Sequence, residues 1–216
     1  MSYEIINTGE SRSFPKQHAF LESSTNNANG LVYLGADAGK AFSAGLAHSQ
    51  RSFIAIELGT ECLGSHTGES RGLEGSNVIG FARFRLGDSA PSQLIELVRQ
   101  PGTSAPALNA AKAAFEAAGL VVVVCNDFPG RIVDRLIRPY FNAALRRLDE
   151  KLASADDLDK TLCLGLGYPE GPISLLERTG LAHHYRVSRD LHDALGQEPY
   201  APARRARVAA EREQVS

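Results

Sequence analysis

The residues with chemical potential in the first part of the chain are an acid and a histidine. Glu96 lies inside the apolar run Gln93-Leu-Ile-Glu-Leu-Val98. Burying a carboxylate there without a partner costs on the order of several kcal/mol. Glu96 therefore needs the wet face of a strand, an ion pair with Arg83 or Arg85, or a catalytic task. His66 stands in Gly64-Ser-His66-Thr-Gly68, inside the Gly-, Ser- and Thr-rich stretch from Leu58 to Ser76. Long connections in compact domains are often functional, and an imidazole moves protons near neutral pH. A solvated surface histidine is the plainer alternative. Gly35-Ala-Asp-Ala-Gly39-Lys40 has one residue too few for a phosphate-cradling loop, and Ala41 replaces the metal-binding hydroxyl. A strand-to-helix turn is expected there.

The elements that must position these residues can be read from hydrophobic period. Leu31–Leu34, Ser52–Glu57, Asn77–Arg85, Gln93–Val98 and Leu120–Cys125 are short apolar or alternating runs, each expected as a strand. Residues 1–30 are poorly patterned, and Ser23–Gly30 is expected as loop or local disorder. A helix is expected from Asp37 to His48. Another is expected to open at Thr103, with its hydroxyl as the cap, and to stop at Gly119. At Asp127-Phe-Pro-Gly130 the period changes from two to 3.6. Beyond it, Ile132, Val133, Leu136, Tyr140, Phe141, Leu145 and Leu148 mark a long amphipathic helix. Ser154-Ala-Asp-Asp157 resembles a capping box, Pro172 suits a helix start, and Leu181–Leu195 reads as a further helix. The tail from Arg204 to Glu213 is expected as a solvated helix or frayed end. The fold class is thus an α/β N-terminal part, residues 1–126, followed by an all-α part, residues 127–216.

Composition narrows the function. The 216 residues carry a formal net charge of -2, which gives no general drive toward nucleic acid. No apolar run reaches membrane-spanning length, and no signal peptide is visible, so a cytoplasmic protein is expected. Cys62, Cys125 and Cys163 are too scattered for a disulfide framework or zinc spacing, and buried reduced thiols are expected.

Taken together, the motifs resemble the 3-hydroxyacyl-CoA dehydrogenase family, including its 3-hydroxybutyryl-CoA members. The resemblance rests on Asp127-Phe-Pro-Gly130, Ile132-Val-Asp134-Arg135, Arg138-Pro-Tyr140, Asn142-Ala-Ala144, Asp156–Asp159 and Gly165-Leu-Gly-Tyr-Pro-Glu-Gly-Pro172. Upstream, Glu96 with Thr103-Ser104, and Val78-Ile-Gly-Phe81, resemble the family's later strands. The family implies an NAD-binding Rossmann domain, a helical domain that usually dimerises, and oxidation of a 3-hydroxyacyl-CoA by a histidine held by a glutamate. Three departures stand out. Ala82 occupies the histidine position, Asp134 replaces an asparagine, and no GxGxxG follows an early strand, so the Rossmann-like sheet is expected to be incomplete and NAD binding is in doubt.

If the fold is kept, Glu96 and Asp134 are expected to approach one another, with His66 or Arg83 and Arg85 nearby. Paired carboxylates would push one pKa toward neutrality. Structural ion pairs with Arg83, Arg131 or Arg135 are the alternative. Three functions remain open: a divergent oxidoreductase of acyl-CoA or a related hydroxy acid, a non-catalytic dimeric acyl-CoA-binding or assembly protein, and an enzyme of other chemistry using Glu96.

Overall fold

A computed structural model describes residues 2–45, 51–69 and 75–215. The expected continuation of a helix to His48, and part of the stretch before Ser76, lie outside the described residues. The chain forms two compact units: Met1–Arg85 with Pro91–Arg131, and Leu86–Ala90 with Ile132–Ser216.

The first unit is a six-stranded sheet. Its strands are β1 (Tyr3–Asn7), β2 (Gly30–Leu34), β3 (Phe53–Glu57), β4 (Val78–Arg83), β5 (Leu94–Arg99) and β6 (Val121–Asn126). Neighbours pair in parallel except β4 with β5, which are antiparallel. The helices are α1 (Ala19–Glu22), α2 (Ala38–Ala44), α3 (Gly64–Thr67) and α4 (Ala105–Ala117). β2, β3 and β4 are buried at every position, which is why their sequences are nearly continuous apolar runs rather than alternations. One face packs Val32, Phe53, Ile79 and Phe81 against Phe20 and Phe115 of α1 and α4. Phe20 and Phe115 stack with ring centroids 4.4 Å apart. The opposite face packs Tyr33, Ile54, Ile56 and Val78 with Ala38 and Phe42 of α2.

Two sequence expectations are corrected, while residues 23–29 form a loop, one of the two alternatives expected for that stretch. Residues 1–30, expected to be poorly patterned, contain β1 and α1: Tyr3 is buried, and its hydroxyl donates to the Phe20 carbonyl at 2.6 Å. The turn before β2 also has a task, because Ser24 Oγ accepts the Ile5 N–H at 3.0 Å and the Thr25 N–H donates to the Tyr3 carbonyl at 2.8 Å. These bonds occupy backbone groups of the edge strand β1 that would otherwise invite another chain. The cap of α4 is Ser104, whose hydroxyl accepts from Ala107 N, while Thr103 Oγ1 accepts the Gln100 N–H at 3.0 Å. The cysteines are free, as expected, but only half-buried.

The strand order is β1-β2-β3-β4-β5-β6, a monotonic walk from one edge to the other. A doubly wound sheet instead reverses direction, and the reversal opens the crevice in which a dinucleotide sits. This sheet has six strands but no reversal.

The second unit contains α5 (Ile132–Asp149), α6 (Ala155–Leu166), α7 (Pro172–Thr179), α8 (Leu181–Leu195), a short 3₁₀ turn (Glu198–Tyr200) and α9 (Arg204–Glu213). Phe141, Leu145, Ile173, Leu176, Ala203 and Ala206 form its core. Asp159 of α6 holds the start of α7, accepting from Ile173 N at 2.9 Å, Ser174 N at 2.9 Å and Ser174 Oγ at 2.6 Å. Gly171 is required there, since a Cβ would come within 2.1 Å of the Asp159 carboxyl carbon.

A buried polar chain crosses the same unit. Arg138 Nη1 donates to His184 Nδ1 at 3.2 Å, and His184 Nε2 donates to Asn142 Oδ1 at 2.9 Å. Asn142 Nδ2 in turn donates to the Pro199 carbonyl at 3.1 Å. Burial, and then the Arg138 charge, push the His184 pKa down to about 3 from its ordinary 6.5. Between these values the unfolded chain takes up a proton that the folded chain refuses, so this contribution is complete above pH ~6.5 and is lost as pH falls toward 3. Denaturant melts at pH 7 and pH 5 should show stability falling by up to about 1.4 kcal/mol per pH unit from this residue alone. In His184→Gln that part of the acid slope should vanish; an unchanged slope would show that His184 is protonated in the folded chain.

Candidate active site above the strand ends

Each sequence-selected acid has a definite setting. Glu96 is 1% exposed, which removes the wet-face alternative. Its direct cross-strand partners are Ala82 on β4 and Val123 on β6. A histidine at position 82 would therefore emerge beside the Glu96 carboxylate, at the roughly 5 Å Cβ spacing of cross-strand pairs. The residue present is a methyl group, which carries no proton. Arg83 is occupied elsewhere, bonded to the carbonyls of Ser92 and Ser13 and lying over the Phe14 ring.

Asp134 sits in the first turn of α5 and accepts from Arg138 Nε at 2.7 Å. It is the outer end of the buried polar chain through His184. Its partner is the arginine one turn along the helix, not Arg131 or Arg135 as the sequence alternatives had it. Glu96 and Asp134 belong to different units.

His66 lies on α3, and its Nε2 is 3.3 Å from Glu61 Oε1. The Glu61 carboxylate is fixed by the Gly59 N–H, at 3.1 and 3.0 Å from its two oxygens. The imidazole lies flat enough on Gly39 that a Cβ there would meet its Nδ1 at 2.2 Å. The turn carrying His66 is held by Asp127, whose two carboxylate oxygens accept from Leu63 N at 2.7 Å and Gly64 N at 2.8 Å. The joint residue noted for its place in the sequence thus anchors the segment that presents the histidine.

Glu57, which sequence reasoning passed over, ends β3 and is 8% exposed. One carboxylate oxygen accepts from Ser11 Oγ at 3.0 Å and Ser13 N at 2.8 Å, and the other from Gly35 N at 2.7 Å. The available signal was an acid closing an otherwise apolar parallel strand. Above it, Glu57, Glu61, His66, Gly39, Lys40 and Arg12 surround a cavity of about 240 Å³. Ligands of parallel sheets bind outside the carboxyl ends of the strands, and this cavity occupies that place. Cys62 and Cys125 offer no reactive thiolate, since burial pushes both thiols up.

The residues do not fit a dinucleotide. A pyrophosphate needs free backbone N–H groups on a glycine-rich turn at the end of a strand. Here the Gly35 N–H after β2 and the Ser13 N–H after β1 already bind a resident carboxylate. The spaces beside the turn glycines are also filled: a Cβ on Gly35, at φ +112°, would meet the Gly9 carbonyl at 2.5 Å, and the Gly39 space holds the His66 ring. A phosphate brought here would also meet the negative charge of Glu57.

Comparison with known proteins gives the lineage. Residues 130–215 match the family model for the C-terminal domain of 3-hydroxyacyl-CoA dehydrogenase. The probable 3-hydroxybutyryl-CoA dehydrogenase of Deinococcus radiodurans is 32% identical over 111 residues, 51% of this chain and 40% of that protein. Human mitochondrial hydroxyacyl-coenzyme A dehydrogenase is 39% identical over 102 residues, 47% of this chain and 32% of that protein. The matched segment thus spans less than half of these relatives. The crystal structure of (S)-3-hydroxybutyryl-CoA dehydrogenase PaaH1 from Ralstonia eutropha superposes with a TM-score of 0.71 at 21% identity, covering 86% of this chain and 66% of that one. Mycobacterium tuberculosis FadB2 gives 0.70 at 20% identity, covering 89% and 70%. These structural likenesses carry the α/β-then-helical fold expected from the sequence. Residues 130–215 belong to the 3-hydroxyacyl-CoA dehydrogenase family, as its C-terminal domain.

Proposed function

We propose that the protein is a divergent relative of the 3-hydroxyacyl-CoA dehydrogenases that binds an acyl-CoA or related hydroxy-acid ligand and assembles as a homodimer, without NAD-dependent hydride transfer. The observation that carries this reading is Glu57, whose carboxylate takes the two backbone donors a cofactor phosphate would need. Ala82 beside Glu96 supports it, because the position that would hold a proton-transferring imidazole carries only a methyl group. The acyl-CoA ligand rests on the names of the relatives, all dehydrogenases of hydroxyacyl- or hydroxybutyryl-CoA. The dimer rests on apolar side chains that the helical unit leaves in water: Leu136 is 72% exposed and Leu164 87%.

A second reading, an oxidoreductase of a 3-hydroxyacyl-CoA or hydroxy acid, is favoured by the retention of Glu96 in full burial. Under it, Glu96, Asp134 and His66 would be the groups handling protons, and NAD would have to bind without its usual cradle.

Thermal melts separate the two. A ligand that binds the folded state raises Tm by mass action, about 2.7 kcal/mol of stabilisation at one hundred times Kd. Acetoacetyl-CoA is expected to raise Tm, and NADH is expected to leave it unchanged. A rise with NADH, or its oxidation in the presence of acetoacetyl-CoA, would return the assignment to the oxidoreductase. Ala82→His is expected to remain inactive, because restoring the imidazole does not free the donors held by Glu57.

Glu57→Ala provides a direct check on the carrying observation. Removing the carboxylate leaves buried N–H groups unpaired and should cost about 2–4 kcal/mol in denaturant melts. Inorganic phosphate should then stabilise the variant more than the parent. An equal response in both proteins would show that these donors do not form an anion site. Sedimentation at micromolar concentration should report a dimer that Leu164→Asp weakens.

A further inference from the structure

A second cavity, of about 420 Å³, shares Glu10 with the one above β3 but not its cations. Its floor is apolar: Ile5 of β1, Leu34 of β2, Leu21 of α1, and Phe14. Phe14 and Leu34 belong to the buried core, and Ile5 and Leu21 are half-buried against it. The floor is therefore a corner of the core left partly uncovered. Asn7 and Leu34 close β1 and β2 and are paired in register, so this cavity too lies at the carboxyl ends of parallel strands. Its volume falls within the range of small-molecule sites, roughly 300–1,000 Å³.

The lining is fixed by the fold itself. Phe14 stacks on Phe20 with ring centroids 4.9 Å apart and carries Arg83 over its ring at 5.4 Å. Ser11 Oγ accepts the Phe14 N–H at 2.9 Å and donates to Glu57 at 3.0 Å. Ser24 Oγ accepts the Ile5 N–H at 3.0 Å, and Asn7 Oδ1 accepts the Gly9 N–H at 3.2 Å. A pocket formed in advance loses little affinity to the ordering of its own side chains.

Charge selects the class of ligand. Among the described residues that line the cavity, Glu10 alone carries a charge. It is exposed and makes no ion pair or hydrogen bond with any described residue. The nearby cations are engaged elsewhere: Arg12 donates to the Arg85 carbonyl, and Lys40 pairs with Asp37 at 2.7 Å. A lone carboxylate beside an apolar floor attracts a cationic head and repels an anionic one. Asn7 Oδ1 and Ser24 Oγ each accept one bond and keep a further lone pair, which suits a head with several N–H donors.

We infer that this cavity binds a small primary ammonium with an apolar body, the head on Glu10 and the body over Ile5, Leu21 and Leu34. The site goes beyond the acyl-CoA reading and stands or falls separately, since a lone acid does not recruit an anionic CoA ester.

Phenethylammonium, phenethyl alcohol and hydrocinnamate share one body, differ at the head, and test the assignment by NMR titration of the full chain. The ammonium is expected to bind with a Kd on the order of a millimolar, as suits so small a ligand. It should bind about two- to fivefold more tightly than the alcohol, the range for an exposed ion pair, and hydrocinnamate more weakly than either. Nuclear Overhauser contacts should run from the probe ring to the methyl groups of Ile5, Leu21 and Leu34. Glu10→Gln, at an exposed position, should keep its Tm and bring ammonium and alcohol to equal affinity. Absence of saturable ammonium binding, contacts to methyl groups elsewhere, hydrocinnamate binding as tightly as the ammonium, or a preference that survives Glu10→Gln would each overturn the inference. None of these results bears on whether acetoacetyl-CoA shifts the melting temperature.

Discussion

A negative charge buried at the end of β3 organises the upper surface of the first unit. Glu57 is tolerated there because three donors from two different loops converge on it. The loops after β1 and β2 are thereby tied to the same carboxylate. The positive φ of Gly35 and its close approach to Gly9 follow from that packing. In a nucleotide-binding sheet the same kind of loop is shaped by a phosphate that arrives from outside. Here the anion is part of the chain, so the loops are ordered without a ligand. A glycine-rich fingerprint is then unnecessary, which is consistent with its absence from the sequence.

Strand order makes the same point at the level of topology. A doubly wound sheet runs 3-2-1-4-5-6, with its first strand at the centre. Here all six strands run in sequential order, with β1 at an edge and β2 beside it. Such an order leaves two features to be met: an exposed strand edge at β1, and loops at the strand ends that no phosphate shapes. The Ser24–Thr25 turn answers the first by bonding to β1. Glu57 answers the second.

Much of the architecture was legible because the physics that shaped it is local. β2, β3, β5 and β6 are apolar runs bounded by turns, and α5 follows the 3.6-residue period. β1 was not legible, because Tyr3-Glu-Ile-Ile-Asn is short and only its first residue is fully buried. The cap of α4 was displaced by one residue since Thr103 and Ser104 are equally capable caps, and only the backbone decides which hydroxyl faces Ala107. Of the candidate residues, Glu96 stood out in sequence by its place in an apolar run, with its burial left open, and His66 by its polar loop. Their partners, Ala82 across the sheet and Glu61 across a turn, required register and backbone geometry. Glu57 escaped notice because one acid at a strand end is ordinary in sequence. What distinguishes it is the convergence of Ser11, Ser13 and Gly35, residues 46, 44 and 22 positions away.

The two units have kept their family likeness to different degrees, and their interiors suggest why. In the helical unit, Arg138, Asn142 and His184 are each buried to 1% exposure or less and bond to one another. Changing one member strands the others, at a cost of several kcal/mol in order of magnitude for a buried charge. Asp159 and Gly171 are coupled in the same way, the carboxylate occupying the space that only glycine leaves open. Such networks resist substitution one residue at a time, whether or not a substrate is bound. The core of the sheet, built of aliphatic and aromatic side chains, accepts volume-conserving exchange at modest cost. The segment that the family model recognises, residues 130–215, is therefore the one whose buried polar groups depend on each other.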